Sequence, residues 1–323
     1  MRVFLTGGTG FIGSAVVRGL TKRGDECVVL SRSARSPSPG VTYLEGDPRL
    51  PGAWQGALAE CDAVVNLAGE RLIDPLHPWT ESRKAALRRS RVDVTRLVAA
   101  AVRGAARAPT VLVSGSAIGY YGDCGEREVD ESAPAADDFL GRLAADWEAA
   151  TREAEPATRV VSIRTGIVLG DGGVFGPLLP LFKLGLGGAW GSGRQWWSWI
   201  HLADQVGVIL HAIDSEIDGP VNLTAPNPVR VQTFAKALGR VLGRPVLFKA
   251  PAFALKLGLG AAAEALLVSQ RVLPKRAIET GYPYRFPELQ GALADLFGQG
   301  SGERDRVNGT RSTAEGTSPH TQS

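Results

Sequence analysis

The feature that most constrains this chain is a run of glycines in a particular place. Thr6-Gly7-Gly8-Thr9-Gly10-Phe11-Ile12-Gly13 follows the apolar stretch Arg2–Thr6 and opens a segment whose apolar residues Ile12, Val16 and Leu20 recur at helical spacing. A strand that passes into a helix through such a loop begins a βαβ unit built to hold a dinucleotide. Gly7 permits the tight turn, Gly10 lets the backbone approach a pyrophosphate, and Gly13 lets the helix pack close to the strand. The helix start at Phe11 and Ile12 then offers unpaired N–H groups and the positive end of the helix dipole to the phosphates.

The rest of the first half keeps the same rhythm. Arg2–Thr6, Cys27–Ser31, Val41–Leu44, Ala63–Leu67, Thr110–Ser114 and Arg159–Ile163 read as strands, rich in valine and leucine and separated by helical patterns. Strands apolar on both faces must be covered on both faces, which predicts a doubly wound parallel α/β sheet of the Rossmann type. The expected nucleotide-binding domain spans 1–170, completed by 200–225, where a helix (His201–Asp214) and a strand (Val221–Thr224) return. Residues 171–199 and 226–297 are expected to form a smaller, mostly helical lobe on the substrate side, and 298–323 a flexible polar tail.

The choice of cofactor is read at the end of the second strand. An enzyme selecting NAD places a carboxylate there for the ribose 2′-hydroxyl. This chain has Ser31-Arg32-Ser33, and Arg32 suits a 2′-phosphate, so NADP(H) is the expected cofactor. Asp47 after the third strand is expected to cap the adenine side. Leu67, Ala68, Gly69 and Glu70 after the fourth are expected to line the ribose and diphosphate.

Composition excludes several other classes. The 323 residues are 44% hydrophobic and 21% charged with a net charge of +3, an ordinary globular balance. The densest basic cluster, Arg83, Lys84, Arg88, Arg89 and Arg91, lies beside Glu81 and Asp93 on a predicted helix and reads as a solvated face, so no nucleic acid is expected. Cys27, Cys61 and Cys124 cannot all pair, and the four histidines, His77, His201, His211 and His320, show no ligand spacing, so no metal is expected. The apolar start is too short for a signal peptide, which points to a cytoplasmic protein. Phe253–Leu273 is broken by Lys256, Glu264 and Arg271 and reads as an amphipathic helix covering a core, with no membrane span.

The GxxGxxG spacing, Asn66-Leu67-Ala68-Gly69 and Ser114-Gly115-Ser116-Ala117-Ile118-Gly119-Tyr120-Tyr121-Gly122 together resemble the extended short-chain dehydrogenase/reductase superfamily. Arg164-Thr165-Gly166-Ile167 looks like its strand-loop beside the nicotinamide, and Trp199–Asp204 like its later strand-to-helix junction. Gly119–Asp123, Asp146-Trp147-Glu148 and the ending around Ser269–Pro274 are similar to an atypical epimerase-like subfamily with a C-terminal domain of unknown function. The resemblance implies Arg164 and Gly166 at the cofactor, Ser116 and Tyr121 as catalytic residues, a small-molecule substrate and, as among relatives, a helix-to-helix homodimer.

One departure from that superfamily matters most. Standard members carry Tyr-x-x-x-Lys, in which the lysine lowers the tyrosine pKa from about 10 so that it exchanges protons near neutrality. None of the seven lysines here has a tyrosine four residues before it. If Glu148 matches the residue that ends the motif, Leu140 and Ala144 occupy the two positions. Three readings stay open: a reductase using Ser116 and neutral Tyr121, with or without help from an acid in Asp123–Glu131; an inactive NADP(H)-binding sensor or scaffold; and an epimerase with a non-standard base.

Overall fold

A computed structural model describes residues 1–74, 77–173, 176 and 179–298. Most of the expected tail, and His320, lie outside the described residues. Seven strands form one sheet: β1 Arg2–Thr6, β2 Glu26–Ser31, β3 Val41–Glu45, β4 Ala63–Asn66, β5 Val111–Ala117, β6 Arg159–Thr165 and β7 Gly219–Leu223. Their order is β7-β6-β5-β4-β1-β2-β3, and every pairing is parallel. The chain winds from β1 out to β3, then crosses back to β4 and winds the other way. The crevice at the carboxyl ends of β1 and β4 is therefore the switch point where such sheets bind ligands.

The strands are apolar throughout because both faces are covered. In β1, Val3 and Leu5 enter one core with α1 (Phe11–Lys22) and the helix Leu202–Asp214, while Phe4 enters another with Trp54, Leu58, Val98 and Val102. The same alternation runs through Cys27 and Val29 against Val28 and Leu30, and through Val111 and Val113 against Leu112. Each such side chain contributes about 1.5–3 kcal/mol by leaving water. The three cysteines are buried, and burial pushes the Cys27 and Cys61 thiols up to about 11.

One expected boundary moves. The fifth strand runs on to Ala117 because Gly115, Ser116 and Ala117 pair with Ile163, Arg164 and Thr165, so Ser116 is a ladder residue and not a loop residue. The tryptophans of 185–199 are largely core: Trp190, Trp197 and Trp199 pack with Phe234, Leu238 and Leu293 in a separate apolar cluster. That cluster joins the helices Val231–Val241 and Leu289–Phe297 to the segment between β6 and β7.

His201 ties this cluster to the sheet. Its Nδ1 accepts from the Ala203 N–H at 3.0 Å, capping the helix Leu202–Asp214, so the proton of the neutral ring sits on Nε2, 3.4 Å from Asp295 Oδ2. Phe286 lies over the ring at 4.0 Å between centroids. Burial lowers the His201 pKa from its ordinary value, more than Asp295 and Asp204 raise it.

Two stability predictions follow from these contacts. A Cβ at Gly13 would stand 2.1 Å from the Gly7 carbonyl oxygen, so Gly13→Ala is expected to cost about 1–3 kcal/mol or more in chemical denaturation. A histidine whose folded pKa is depressed charges first in the unfolded chain, so stability is full above about pH 6.5 and falls as pH drops toward the depressed folded value. Denaturation at pH 7.5 and 5.5 should show this loss in the wild type and a smaller one in His201→Asn, which can still cap the helix.

Candidate active site

The crevice at the switch point is held open by close backbone packing. Gly7 has φ of 68° and lies so near the next loop that a Cβ would meet the Leu67 carbonyl oxygen at 2.5 Å. The Gly10 N–H donates to the Gly7 carbonyl at 3.0 Å, and Gly10 starts α1 with no side-chain cap and no acid in the first turn. Those free N–H groups suit a phosphate. Phe11 is half-buried and covered by Gly170, Gly172 and Gly173, where side chains would collide with its ring. Ile12 packs against the first core.

The loop after β4 is anchored from below. Thr6 Oγ1 donates to Asn66 Oδ1 at 2.6 Å, and Asn66 Nδ2 donates to Thr95 Oγ1 at 2.8 Å and Ser114 Oγ at 3.1 Å. The Ala68 N–H donates to Thr6 Oγ1 at 3.3 Å. Leu67, Ala68 and Gly69 thus face Gly7 across the crevice on a fixed backbone.

At the end of β2, Ser31 Oγ donates to the Ser33 carbonyl at 2.9 Å, turning the chain and leaving the Arg32 side chain exposed. Asp47 is gripped by Arg49, whose Nη2 donates at 2.7 Å, and this bond holds the carboxyl below its ordinary range, with a smaller effect from Arg32.

The basic helix differs from its reading as a solvated face. Between Glu81–Arg88 and Val94–Gly104 the helix takes a π turn over Arg89–Asp93. Arg83 pairs with Glu70, and Arg91 Nη2 donates to the Glu70 carbonyl at 2.8 Å. A Cβ at Gly69 would lie 3.3 Å from the Arg91 guanidinium carbon. Burial, and then the Arg83 charge, push the Arg91 pKa down to about 10. Arg88 reaches outward to Asp146 at 3.2 Å. The only sequence signal was the spacing of Arg83 and Arg91, which puts both near one helical stripe with Leu87.

Beside the crevice lies a buried network centred on Arg164, which is 2% exposed. Its Nε and Nη2 donate to the two oxygens of Glu148 at 2.8 and 2.9 Å, and its Nη1 donates to Tyr121 Oη at 2.8 Å and the Glu131 carbonyl at 3.2 Å. Its face lies 3.5 Å over the Tyr120 ring. Burial opposes its charge, but Glu148 and Tyr121 raise its pKa above the ordinary arginine value. Ser116 Oγ donates to Glu148 Oε1 at 2.7 Å, and Tyr121 Oη donates to Asn222 Oδ1 at 2.7 Å. Burial pushes the Tyr121 hydroxyl pKa up, against the pull of Arg164.

Most of the expected site residues therefore fall into two groups. Gly7, Gly10, Phe11, Gly13, Leu67, Ala68, Gly69 and Glu70 surround the switch-point crevice, with Arg32 and Asp47 at its outer end. Arg164, Ser116 and Tyr121 belong to the buried network, where every guanidinium nitrogen of Arg164 is already bonded. Gly166 packs between strands, where a Cβ would meet the Ser198 carbonyl oxygen at 2.8 Å. Leu140 packs under Gly119, Ala144 is buried, and Trp147 fills the space beside Gly115. Sequence reasoning did not find Asn222, which sits 101 residues from Tyr121 with no motif to mark it. Among the described residues no three His, Cys, Asp or Glu side chains converge to hold a metal, and no helix is long and apolar enough to cross a membrane.

Comparison with known proteins bears on this geometry. Residues 3–223 match the model of the NAD dependent epimerase/dehydratase family, and 250–296 match a domain of unknown function, DUF1731. The mouse epimerase family protein SDR39U1 is 40% identical over 302 residues, covering 92% of this chain and 99% of that protein. The human SDR39U1 crystal structure with NADPH superposes with a TM-score of 0.83 at 38% identity, covering 92% of this chain and 99% of that one. A nucleoside-diphosphate sugar epimerase from Corynebacterium glutamicum gives a TM-score of 0.74 at 33% identity, covering 95% of this chain and 61% of that one.

Removing one partner of the buried pair leaves an uncompensated charge, so Glu148→Leu is expected to cost about 3–5 kcal/mol in denaturant unfolding. The double variant Glu148→Leu/Arg164→Met should recover most of it. A single-variant loss below about 1 kcal/mol would show that the pair does not organise this region.

Proposed function

Since this chain belongs to the NAD dependent epimerase/dehydratase family, we propose that it binds NADP(H) in the switch-point crevice and is an oxidoreductase acting on a small carbonyl or sugar-type substrate. The observation that carries the cofactor reading is the end of β2, where Ser31 turns the chain and Arg32 stands exposed in place of a carboxylate. Arg32 would pair with the 2′-phosphate, the N–H groups at the start of α1 with the diphosphate, and the Leu67–Gly69 backbone with the ribose. The NADPH in the human relative's crystal structure supports this assignment. When bound, the nicotinamide supplies or takes up a hydride.

The protein's own part is to manage a proton without Tyr-x-x-x-Lys. Tyr121, held protonated by burial, acts as a neutral acid whose O–H exchanges Asn222 Oδ1 for the substrate oxygen. Arg164 Nη1, already on that hydroxyl, stabilises the phenolate left behind. Ser116, its own proton directed to Glu148 Oε1, accepts from a substrate hydroxyl and orients it.

A second reading, the cofactor as ligand and not reagent, is favoured by a specific fact. Both hydroxyls are committed to buried partners, and Leu140 and Ala144 offer nothing to the cleft.

Fluorescence titration tests the cofactor: NADPH should bind more tightly than NADH, and Arg32→Ala should weaken NADPH by about tenfold or more while leaving NADH little changed. Equal affinities in both proteins would remove the role of Arg32. Loss of reduced-nicotinamide absorbance with a panel of carbonyl compounds, slowed at least tenfold by Tyr121→Phe, supports the oxidoreductase. Tight binding with no oxidation across the panel favours the ligand reading.

A further inference from the structure

The lobe beyond the sheet has a face that its own fold does not explain. The segment expected to form one amphipathic helix over Phe253–Leu273 instead gives a helix at Ala252–Leu259, followed by short turns. Leu255 and Leu259 pack against the Trp190–Phe234 cluster, while Phe253 and Leu257, one turn apart, are 74% and 87% exposed. A helix apolar on all sides needs apolar surroundings on all sides, and this one has them on only one.

The exposed residues are not scattered. The strand Phe248–Ala250, just before this helix, pairs with Gly188–Trp190, which brings the segment around Leu186 against Phe248. A cavity of about 260 Å³ opens between them, walled by Leu181, Leu186, Phe248 and Leu255. Leu184 and Leu247, on the same two segments of the chain, are 72% and 78% exposed. Isolated apolar residues on a surface are ordinary, but a contiguous set of this kind marks a place of contact.

The segments that carry it hold charges of one sign. Between Asp218 and Glu264 the chain has no Asp or Glu but six Lys and Arg, in a protein whose overall charge is only +3. Between Asp171 and Asp204 there is again no acid. Lys183, Arg244, Lys249 and Lys256 are exposed on the elements that carry the apolar residues, and no ion pair is recorded for any of them among the described residues. Two copies meeting through this face about a twofold axis would bring cation against cation. An anionic bilayer answers both features, taking the leucines and phenylalanines into its interface and the lysines among its headgroups.

We propose that this face, centred on Phe248, Phe253 and Leu257 and ringed by Lys183, Arg244, Lys249 and Lys256, docks the protein peripherally on anionic membrane surfaces. The chain lies on the bilayer and does not span it.

Sedimentation of the full chain with vesicles tests this. Binding is expected to phosphatidylcholine/phosphatidylglycerol (3:1) vesicles, weakened by salt, with little to phosphatidylcholine alone. Phe253→Ser/Leu257→Ser should reduce partitioning by about tenfold or more, and Lys249→Glu/Lys256→Glu by at least about tenfold, with unchanged thermal transitions because all four side chains are exposed. Absence of wild-type binding to the anionic vesicles overturns the proposal, as does equal binding by the well-folded variants. So does a dimer in light scattering that Phe253→Ser/Leu257→Ser converts to monomer without any vesicle binding, since a second copy would then cover the face.

Discussion

The bidentate pair of Arg164 with Glu148 is the interaction on which the carboxyl edge of the sheet depends. A guanidinium and a carboxylate this deeply buried lose their hydration, and the cost is offset only where geometry is good and the remaining polar atoms are satisfied. Here they are: Tyr121, the Glu131 carbonyl and Ser116 complete the set. The pair thereby joins β5, β6, the helix Phe139–Arg152 and the 3-10 turn Ile118–Tyr121. Through Tyr121 it reaches Asn222 on β7, whose N–H donates to Glu131 Oε1 at 2.9 Å.

That arrangement changes what the neighbouring helix can do. Where a tyrosine and a lysine would project toward a substrate, Leu140 and Ala144 pack, and Trp147 fills the space beside Gly115 while donating to Thr95 Oγ1 at 2.8 Å. Thr95 also accepts from Asn66, so this helix braces the loop after β4. Within the buried network burial raises the Tyr121 pKa, and the positive charge of Arg164 is the largest influence acting against it.

The first thirty residues were legible because their signals are local. A glycine that must take φ of 68°, or whose Cβ would strike a carbonyl at 2.1 Å, leaves its mark at one position whatever the rest of the chain does. Strands apolar on both faces likewise announce a covered parallel sheet. Arg83 and Arg91 were not legible in this way. A helix of arginines with interspersed acids looks solvated, yet Arg83, before the π turn, and Arg91, within it, both bond to Glu70. Trp190, Trp197 and Trp199 carry no such local mark, because the residues that make them core, Phe234 and Leu293, are distant in sequence.

The sequence by itself determined the fold class, the tight glycine turn after β1 and the presence of Arg32 where a carboxylate could stand, because each depends on backbone sterics, on alternation or on one side chain at a fixed offset from a strand. Only the tertiary structure decided that Arg164, Ser116 and Tyr121 form one buried unit and that Phe253 and Leu257 face outward. Those outcomes depend on which distant residues, Glu148, Asn222 and Glu131 among them, meet in low dielectric, and on which apolar surface is left without a partner.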